Sequence, residues 1–145
     1  MELGRCLGEL AAPGDIFLLS GTLGAGKTCF TQGVVRGLGS QECALSPTFV
    51  LMRELKCRLP VYHIDLYRLD NLEEIADLGL DDYFYGDGLC VIEWAEKGTG
   101  VLPSAHLLIK IGYLGDTERK IELVSHSRRY RELLQQLKLP DEINR

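Results

Sequence analysis

Residues 16–28 read IFLLSGTLGAGKT, a short apolar run followed by a glycine loop and the pair Lys27-Thr28. From Gly21 onward the stretch matches the phosphate-binding pattern G-x-x-x-x-G-K-[ST] at every fixed position. Glycines let the chain curl so that successive backbone N–H groups point at phosphate oxygens, while the lysine reaches the β- and γ-phosphates and the hydroxyl binds Mg²⁺. The stretch therefore predicts a site for a nucleoside triphosphate with Mg²⁺.

The flanks of the loop give the motif the structural context that it needs. The apolar run 16–19 predicts a buried strand. After the loop, apolar residues fall at helical spacing and a glycine ends the pattern: Phe30, Val34, Val35, Leu38 and then Gly39. A strand that feeds a glycine loop opening a helix sets the positive helix N-terminus against the phosphates.

The bulk composition predicts one globular domain over residues 1–145, with a loose tail from about residue 138 to the end. The chain has 145 residues, of which 46% are hydrophobic and 26% charged. No apolar run approaches the length of a membrane span, and the N-terminus lacks a basic region followed by an apolar stretch, so we expect a cytoplasmic protein without a membrane partner. The net charge of −5 argues against stand-alone nucleic-acid binding.

Two groups of residues have an ordinary and a functional interpretation. The five cysteines (Cys6, Cys29, Cys43, Cys57, Cys90) include no C-x-x-C pair, which predicts reduced thiols and neither disulfides nor zinc. Cys29 follows the loop, where a helix N-terminus can acidify a thiol, although a small residue near the phosphates is the simpler interpretation. The late basic residues (Arg128, Arg129, Arg131, Lys138) are expected to form the solvated face of a last helix, the alternative being a patch that binds nucleic acid.

The remaining pattern predicts a mixed sheet covered by helices on both faces, which is a three-layer α/β fold of the P-loop NTPase type. Leu3, Leu7 and Leu10 indicate a first helix. Residues 49–55 and 61–64 indicate a hairpin, and 107–113 with 119–124 indicate a second one. Further elements follow as a helix near 72–78, a buried strand at 89–93 and a last helix at about 128–137.

Two apolar strands end in an acid, as a metal site beside the loop requires. Asp65 follows one strand and Glu93 ends the other. Ligands of open α/β sheets collect beyond the carboxyl ends of the strands, so both carboxylates are candidates to face the Mg²⁺ held by Thr28. The alternative is that each acid caps its strand or pairs with a base such as Arg68 or Lys97. The pattern leaves open which acid holds the metal and which orients the attacking water.

Other polar and aromatic residues near these strands carry weaker signals. Ser46-Pro47-Thr48 is similar to segments that sense a γ-phosphate, with the Thr48 hydroxyl near the metal, or it is ordinary turn chemistry before a strand. His63 lies inside an apolar strand and is expected to be a packed residue and not a base. Trp94 either flanks the nucleotide pocket or caps the core.

Taken together, the motifs resemble those of a known family. They occur in its order: Leu7-Gly8 with Gly14-Asp15, LGAGKT at 23–28, SPTF at 46–49, HIDLYR at 63–68, IEW at 92–94 and Leu102-Pro103. The loop is shared by many families, but the combination of SPTF, H-x-D-L-Y-R and I-E-W is specific. The chain resembles the bacterial TsaE (YjeE) family, the ATPase component in synthesis of N6-threonylcarbamoyladenosine (t6A) in tRNA.

This resemblance implies a set of site residues. ATP would lie on Gly24, Ala25, Gly26, Lys27, Thr28 and Cys29, with Trp94 and Arg119 near the nucleotide. Mg²⁺ would be bound by Thr28 and Glu93, with Asp65 contributing to the metal or γ-phosphate environment. The catalytic set would be Lys27, Thr48, Asp65 and Glu93.

The resemblance also implies partners and two local differences. The family works with TsaD and TsaB, meets tRNA only through that complex, and leaves the threonylcarbamoyl transfer to TsaD. The family commonly has an acidic residue where this chain has Thr22, and the chain starts a few residues short of the usual beginning. We expect these differences to alter partner contacts or nucleotide affinity and to weaken the wall around the base.

Two other classes of function share a phosphate loop. A small-molecule kinase would need an acceptor pocket and an arginine-rich lid, and no arginine cluster follows the central strands. A nucleotide-controlled binding module with negligible catalysis is compatible with Ser46-Pro47-Thr48. Phosphate transfer, phosphate release and the effect of a non-hydrolysable ATP analogue distinguish the three classes.

Overall fold

The computed structural model describes residues 2–21, 27–39, 52–66, 73, 84, 86–95, 102, 105–113, 119–125 and 127–137. Within these residues the helices and strands are, in chain order, α1 (Glu2–Leu10), β1 (Ile16–Gly21), α2 (Lys27–Gly37), β2 (Met52–Lys56), β3 (Pro60–Asp65), β4 (Leu89–Glu93), β5 (Leu107–Tyr113), β6 (Arg119–Ser125) and α3 (Arg128–Gln136). The helix predicted near 72–78 and the predicted tail lie outside the described residues, apart from Glu73.

The strands form one sheet in the order β2-β3-β4-β1-β5-β6. The loop-bearing strand β1 lies in its middle and is parallel to both neighbours, β4 and β5. β3 is parallel to β4, whereas the outer pairs β2-β3 and β5-β6 are antiparallel. This confirms the predicted α/β fold with a mixed sheet. A short turn can join only antiparallel strands, whereas parallel neighbours need a long crossover connection.

Alternating side chains divide the core between the two faces of the sheet. Phe17, Leu19 and Val91 point to one face, where side chains of all three described helices join the same cluster. Ile16, Leu18 and Ile92 point to the other, where they meet Leu66, Phe84 and Ala95. The alternation of side chains along the central strands therefore determines which face of the sheet packs against α2.

Glycines allow α1 and α2 to pack with their backbones almost in contact. A Cβ atom built on Gly8 would overlap the carbonyl oxygen of Val34, and one built on Gly37 would overlap the carbonyl oxygen of Arg5. In both cases the obstacle is backbone and not the end of a flexible side chain. The two helices can therefore keep this separation only while those positions lack a side chain.

We expect Gly37→Ala to lower the free energy of unfolding by about 1–3 kcal/mol, the usual cost of overpacking a close contact. Alanine's better helix propensity returns only part of this loss. Urea denaturation measures the change. Gly112→Ala is the control, because nothing lies within 4 Å of a Cβ built there. A Gly37→Ala protein as stable as the Gly112→Ala protein would contradict the packing described for α1 and α2.

Helix α3 is attached to the amino end of β1, at the edge opposite the glycine loop. Arg129 forms an ion pair with Asp15, with Nη2 2.7 Å from Oδ2, and the Ile16 N–H donates to the Tyr130 hydroxyl at 2.7 Å. The bond to Asp15 raises the pKa of Arg129. The prediction of a wholly solvated basic face is therefore wrong for Arg129, which is paired with Asp15. The sequence pattern does not reveal this contact because the two residues are far apart in the chain. Arg128 is exposed, as expected.

Among the described cysteines, none of Cys6, Cys29, Cys57 and Cys90 forms a disulfide, which agrees with that part of the prediction. Cys43 lies outside them. Cys90 is 1% exposed between Ile16 and Tyr62, its neighbours in the register. Burial raises the pKa of the Cys90 thiol from 9.0 to about 12.

This shift predicts a loss of stability at alkaline pH. Below pH 9 the Cys90 thiol is protonated in both the folded and the unfolded protein. Above pH 9 the thiol of the unfolded chain loses its proton, while that of the folded protein keeps it up to about pH 12. The free energy of unfolding should then fall by up to about 1.4 kcal/mol per pH unit until about pH 12. Denaturation of wild type and Cys90→Ala between pH 8 and about pH 11 measures this contribution, together with the smaller part by which Cys90 raises the pKa of Tyr62. Parallel pH profiles would contradict it.

Candidate active site

The four parallel strands end at one edge of the sheet, and the predicted site residues follow that edge. β1 ends at Gly21, β3 at Asp65, β4 at Glu93 and β5 at Tyr113. α2 begins at Lys27, so the loop that joins β1 to α2 opens on the same edge. The strand, loop and helix order that the motif requires is present.

Gly21 begins the loop under a constraint that only glycine meets. Its φ angle is +152°, and a Cβ atom there would overlap the carbonyl oxygen of Ile111 on β5. β1 and β5 are paired at this point, so the oxygen cannot move without breaking the ladder. The glycine that opens the motif is thus required by the neighbouring strand as well as by the loop.

The N-terminus of α2 is an electropositive helix end with no acidic residue in its own first turn. The first N–H groups of a helix have no partner within it, and the aligned peptide dipoles add a partial positive charge. α2 has no acidic residue in its first turn. Cys29 is exposed in that turn. Gly24, Ala25 and Gly26 and the side chains of Lys27 and Thr28 lie outside the described residues.

Asp65 and Glu93 lie side by side at this edge. They are paired in the register of β3 and β4, and Glu93 is paired in turn with Leu19 on β1. Both are buried, with 6% and 2% of their surface exposed. Their side chains point to the face covered by α2. Glu93 lies on the strand next to the loop-bearing strand, and Asp65 lies one strand further away. Neighbouring strands are about 4.8 Å apart.

His63 contributes to this site, which the sequence did not indicate beyond a packed residue. It is fully buried, and its Nε2 forms a very short contact with Oε2 of Glu93. Its partner across the sheet is Val91, so His63 reaches diagonally to Glu93, which lies two residues further along β4. The signal that could have found it is the H-x-D spacing, which puts His63 and Asp65 on one face of β3.

Trp94 turns the chain sharply after Glu93. Its φ of 59° is the left-handed conformation that few non-glycine residues adopt, and such strain clusters at functional sites. Its half-buried side chain packs against the core on the face opposite α2. This agrees with the alternative that it caps the core and leaves its relation to a nucleotide a prediction.

The other predicted residues are not all described. Arg119 is the first residue of β6 and pairs with Tyr113, so its backbone lies at the same edge, two strands from β1. Nothing is described of its side chain. Thr48 lies outside the described residues with the rest of Ser46-Pro47-Thr48. The described part of the chain contains no helix long and apolar enough to cross a membrane.

Comparison with known proteins identifies the family. The family model described as "Threonylcarbamoyl adenosine biosynthesis protein TsaE" matches residues 1–121. The chain belongs to the TsaE family. This confirms the resemblance seen in SPTF, H-x-D-L-Y-R and I-E-W.

Individual relatives of this TsaE chain cover most of its length. The tRNA threonylcarbamoyladenosine biosynthesis protein TsaE of Bacillus subtilis is 42% identical over 143 residues, which are 98% of this chain and 89% of the relative. The protein of the same name from Treponema pallidum is 44% identical, covering 81% of this chain and 87% of the relative. A crystal structure of YdiB from Bacillus subtilis superimposes with a TM-score of 0.79 at 37% identity, covering 92% of this chain and 82% of that one.

Proposed function

We propose that the protein is a Mg²⁺-dependent ATPase that works with TsaD and TsaB in threonylcarbamoylation of adenosine in tRNA. The observation that carries the proposal is the buried pair of carboxylates, Asp65 and Glu93, at the sheet edge where the glycine loop opens. Two adjacent acids so nearly excluded from solvent are costly to keep ionised, and a bound cation would offset part of that cost. The TsaE descriptions of its relatives support the biosynthetic role.

The triphosphate would bind between the loop and the start of α2. Backbone amides of residues 24–29 would donate to its oxygens, and Lys27 would meet the β- and γ-phosphates. The absence of acids from the first turn of α2 supports this, since an acid there would repel the anion. Trp94 and Arg119 are proposed to lie near the nucleotide.

The donor set fits Mg²⁺. Its residues would be Thr28, Glu93 and Asp65, and hydroxyl and carboxylate oxygens are the ligands this ion prefers. The described residues contain no group of three or more His, Cys, Asp and Glu that could hold a metal. Mg²⁺ in nucleotide sites is usually held by one or two carboxylates together with phosphates and water. When bound, the ion would neutralise charge that develops on the phosphate oxygens.

The chain's own residues would provide positioning and charge stabilisation. Lys27 and the loop amides would stabilise the charge that develops on the γ-phosphate, and Thr48 would contribute from the segment before β2. Glu93 is the acid on the strand next to β1, so we assign it the larger part. Asp65, one strand further away, would hold or orient the neighbouring groups. The protein would act in the cytoplasm, where tRNA is modified.

Phosphate release by the purified chain, alone and with TsaD and TsaB, tests the proposal. We expect slow release from ATP in the presence of Mg²⁺, and faster release when the pair is added. Phosphate transfer to nucleosides or sugars, without release, would make the protein a kinase. Full support of tRNA modification by a non-hydrolysable ATP analogue would make it a binding module and contradict an ATPase role.

A further inference from the structure

The contact between His63 and Glu93 joins two side chains that are almost completely removed from solvent. The exposed fractions of the side chains are 0% and 3%. His63 lies on β3 and Glu93 on β4, so the contact ties the carboxylate to a neighbouring strand and not to its own chain segment. His63 as a whole is fully buried.

The hydrogen-bonding state of the ring can be assigned from its second nitrogen. Nδ1 of His63 is buried and has no hydrogen-bond partner. A buried N–H without an acceptor is costly, and a neutral imidazole carries its hydrogen on one nitrogen only. The tautomer that fits has the hydrogen on Nε2, from which it is donated to Oε2 of Glu93.

We infer that His63 is a positioning residue for Glu93: it fixes one carboxylate oxygen, and thereby the orientation in which the acid meets the Mg²⁺–nucleotide. The inference rests on the proposed ATPase function. A glutamate side chain has several rotatable torsions, and ordering it at the moment of binding would cost entropy. A donor on the next strand orders it beforehand. Partners of this kind commonly change metal affinity or activity by about 10–100-fold when removed.

Two substitutions of His63 that differ by one methylene group separate a positioning role from a packing role. His63→Gln keeps an amide N–H near the place of Nε2, whereas His63→Asn is too short to reach Glu93. Ile64→Val is the control, because Ile64 is equally buried on the same strand but points to the opposite face. None of the three variants adds volume to the core, so none overpacks it.

The kinetic test compares phosphate release by the four proteins with TsaD and TsaB present. We expect His63→Asn to lower kcat about 10–100-fold with a KM for ATP changed less than about threefold, and His63→Gln to recover most of that loss. Ile64→Val should keep wild-type kcat. Equal kcat in wild type and His63→Asn would overturn the inference, as would equal losses in His63→Asn and His63→Gln.

A binding measurement gives a second readout. With a non-hydrolysable ATP analogue bound, titration with Mn²⁺ as a paramagnetic probe should show about 10-fold weaker metal affinity in His63→Asn than in His63→Gln. Equal metal affinities in the two variants would overturn the inference. A wild-type protein that hydrolyses no ATP would instead overturn the proposed function.

Spectra of wild-type protein with ¹⁵N-labelled histidine test the assigned geometry without nucleotide. The His63 signals, identified by their loss in His63→Gln, should show the hydrogen on Nε2. A hydrogen found on Nδ1 would overturn the inference even if the Asn variant failed to fold.

Discussion

Replacing Glu93 with glutamine is expected to reduce ATP hydrolysis by about a hundredfold or more, the usual loss when a preorganised charged group is removed from a transition state. Glutamine keeps the shape of the side chain and an oxygen that can accept from His63, so the fold should survive. What it removes is the negative charge on the strand next to the loop-bearing strand. The measurement is the steady-state rate of phosphate release with TsaD and TsaB.

Two comparisons make this result specific. Asp65→Asn removes the adjacent buried carboxylate, two strands from β1, and should cost less than Glu93→Gln. Glu54→Gln removes an exposed carboxylate from β2 and should leave turnover unchanged. Wild-type hydrolysis by Glu93→Gln would reject the assignment of this acid to the site, and a larger loss in Asp65→Asn would reverse the order of the two.

The second large effect is expected from Lys27→Ala, which should abolish measurable turnover and weaken binding of ATP. Lys27 is the first residue of α2 and holds the lysine position of the loop motif. A charge-assisted contact to phosphate oxygens is among the stronger hydrogen bonds, and no other basic residue lies in the first turn of α2. Alanine is a good helix former, so the helix should start as before. Calorimetric titration with MgATP measures the affinity.

Arg36→Ala is the matched control for this change. It removes a positive charge from the same helix, but from its exposed last turn, at the end remote from the loop. We expect wild-type affinity and turnover. Equal losses in the two variants would mean that the net charge of the helix, and not the lysine of the loop, determines nucleotide binding.

The parts of the fold that could be predicted from sequence are those specified by short-range patterns. Two apolar runs on either side of a short polar turn predict each hairpin, and short continuous apolar runs predict β1 and β4. The order in which the strands join the sheet was not predictable in this way. The placement of β1 between β4 and β5 brings together segments far apart in the chain, and no local signal encodes it.

The same contrast between local patterns and long-range contacts explains which site residues are predictable from the sequence. Asp65 and Glu93 were recognisable because each ends an apolar strand, and their pairing follows once the strands are parallel neighbours. The contact of His63 with Glu93 depends on the exact register of β3 against β4. The ion pair of Arg129 with Asp15 depends on where α3 returns to β1. Such long-range contacts are set by the packed fold and not by spacing.

A crystal structure of the protein with Mg²⁺ and a non-hydrolysable ATP analogue would show where the triphosphate and the metal bind. We expect the triphosphate against the N-terminus of α2, with the metal beside Glu93 at the carboxyl edge of the sheet. A triphosphate bound elsewhere, or a metal remote from both Glu93 and Asp65, would contradict it.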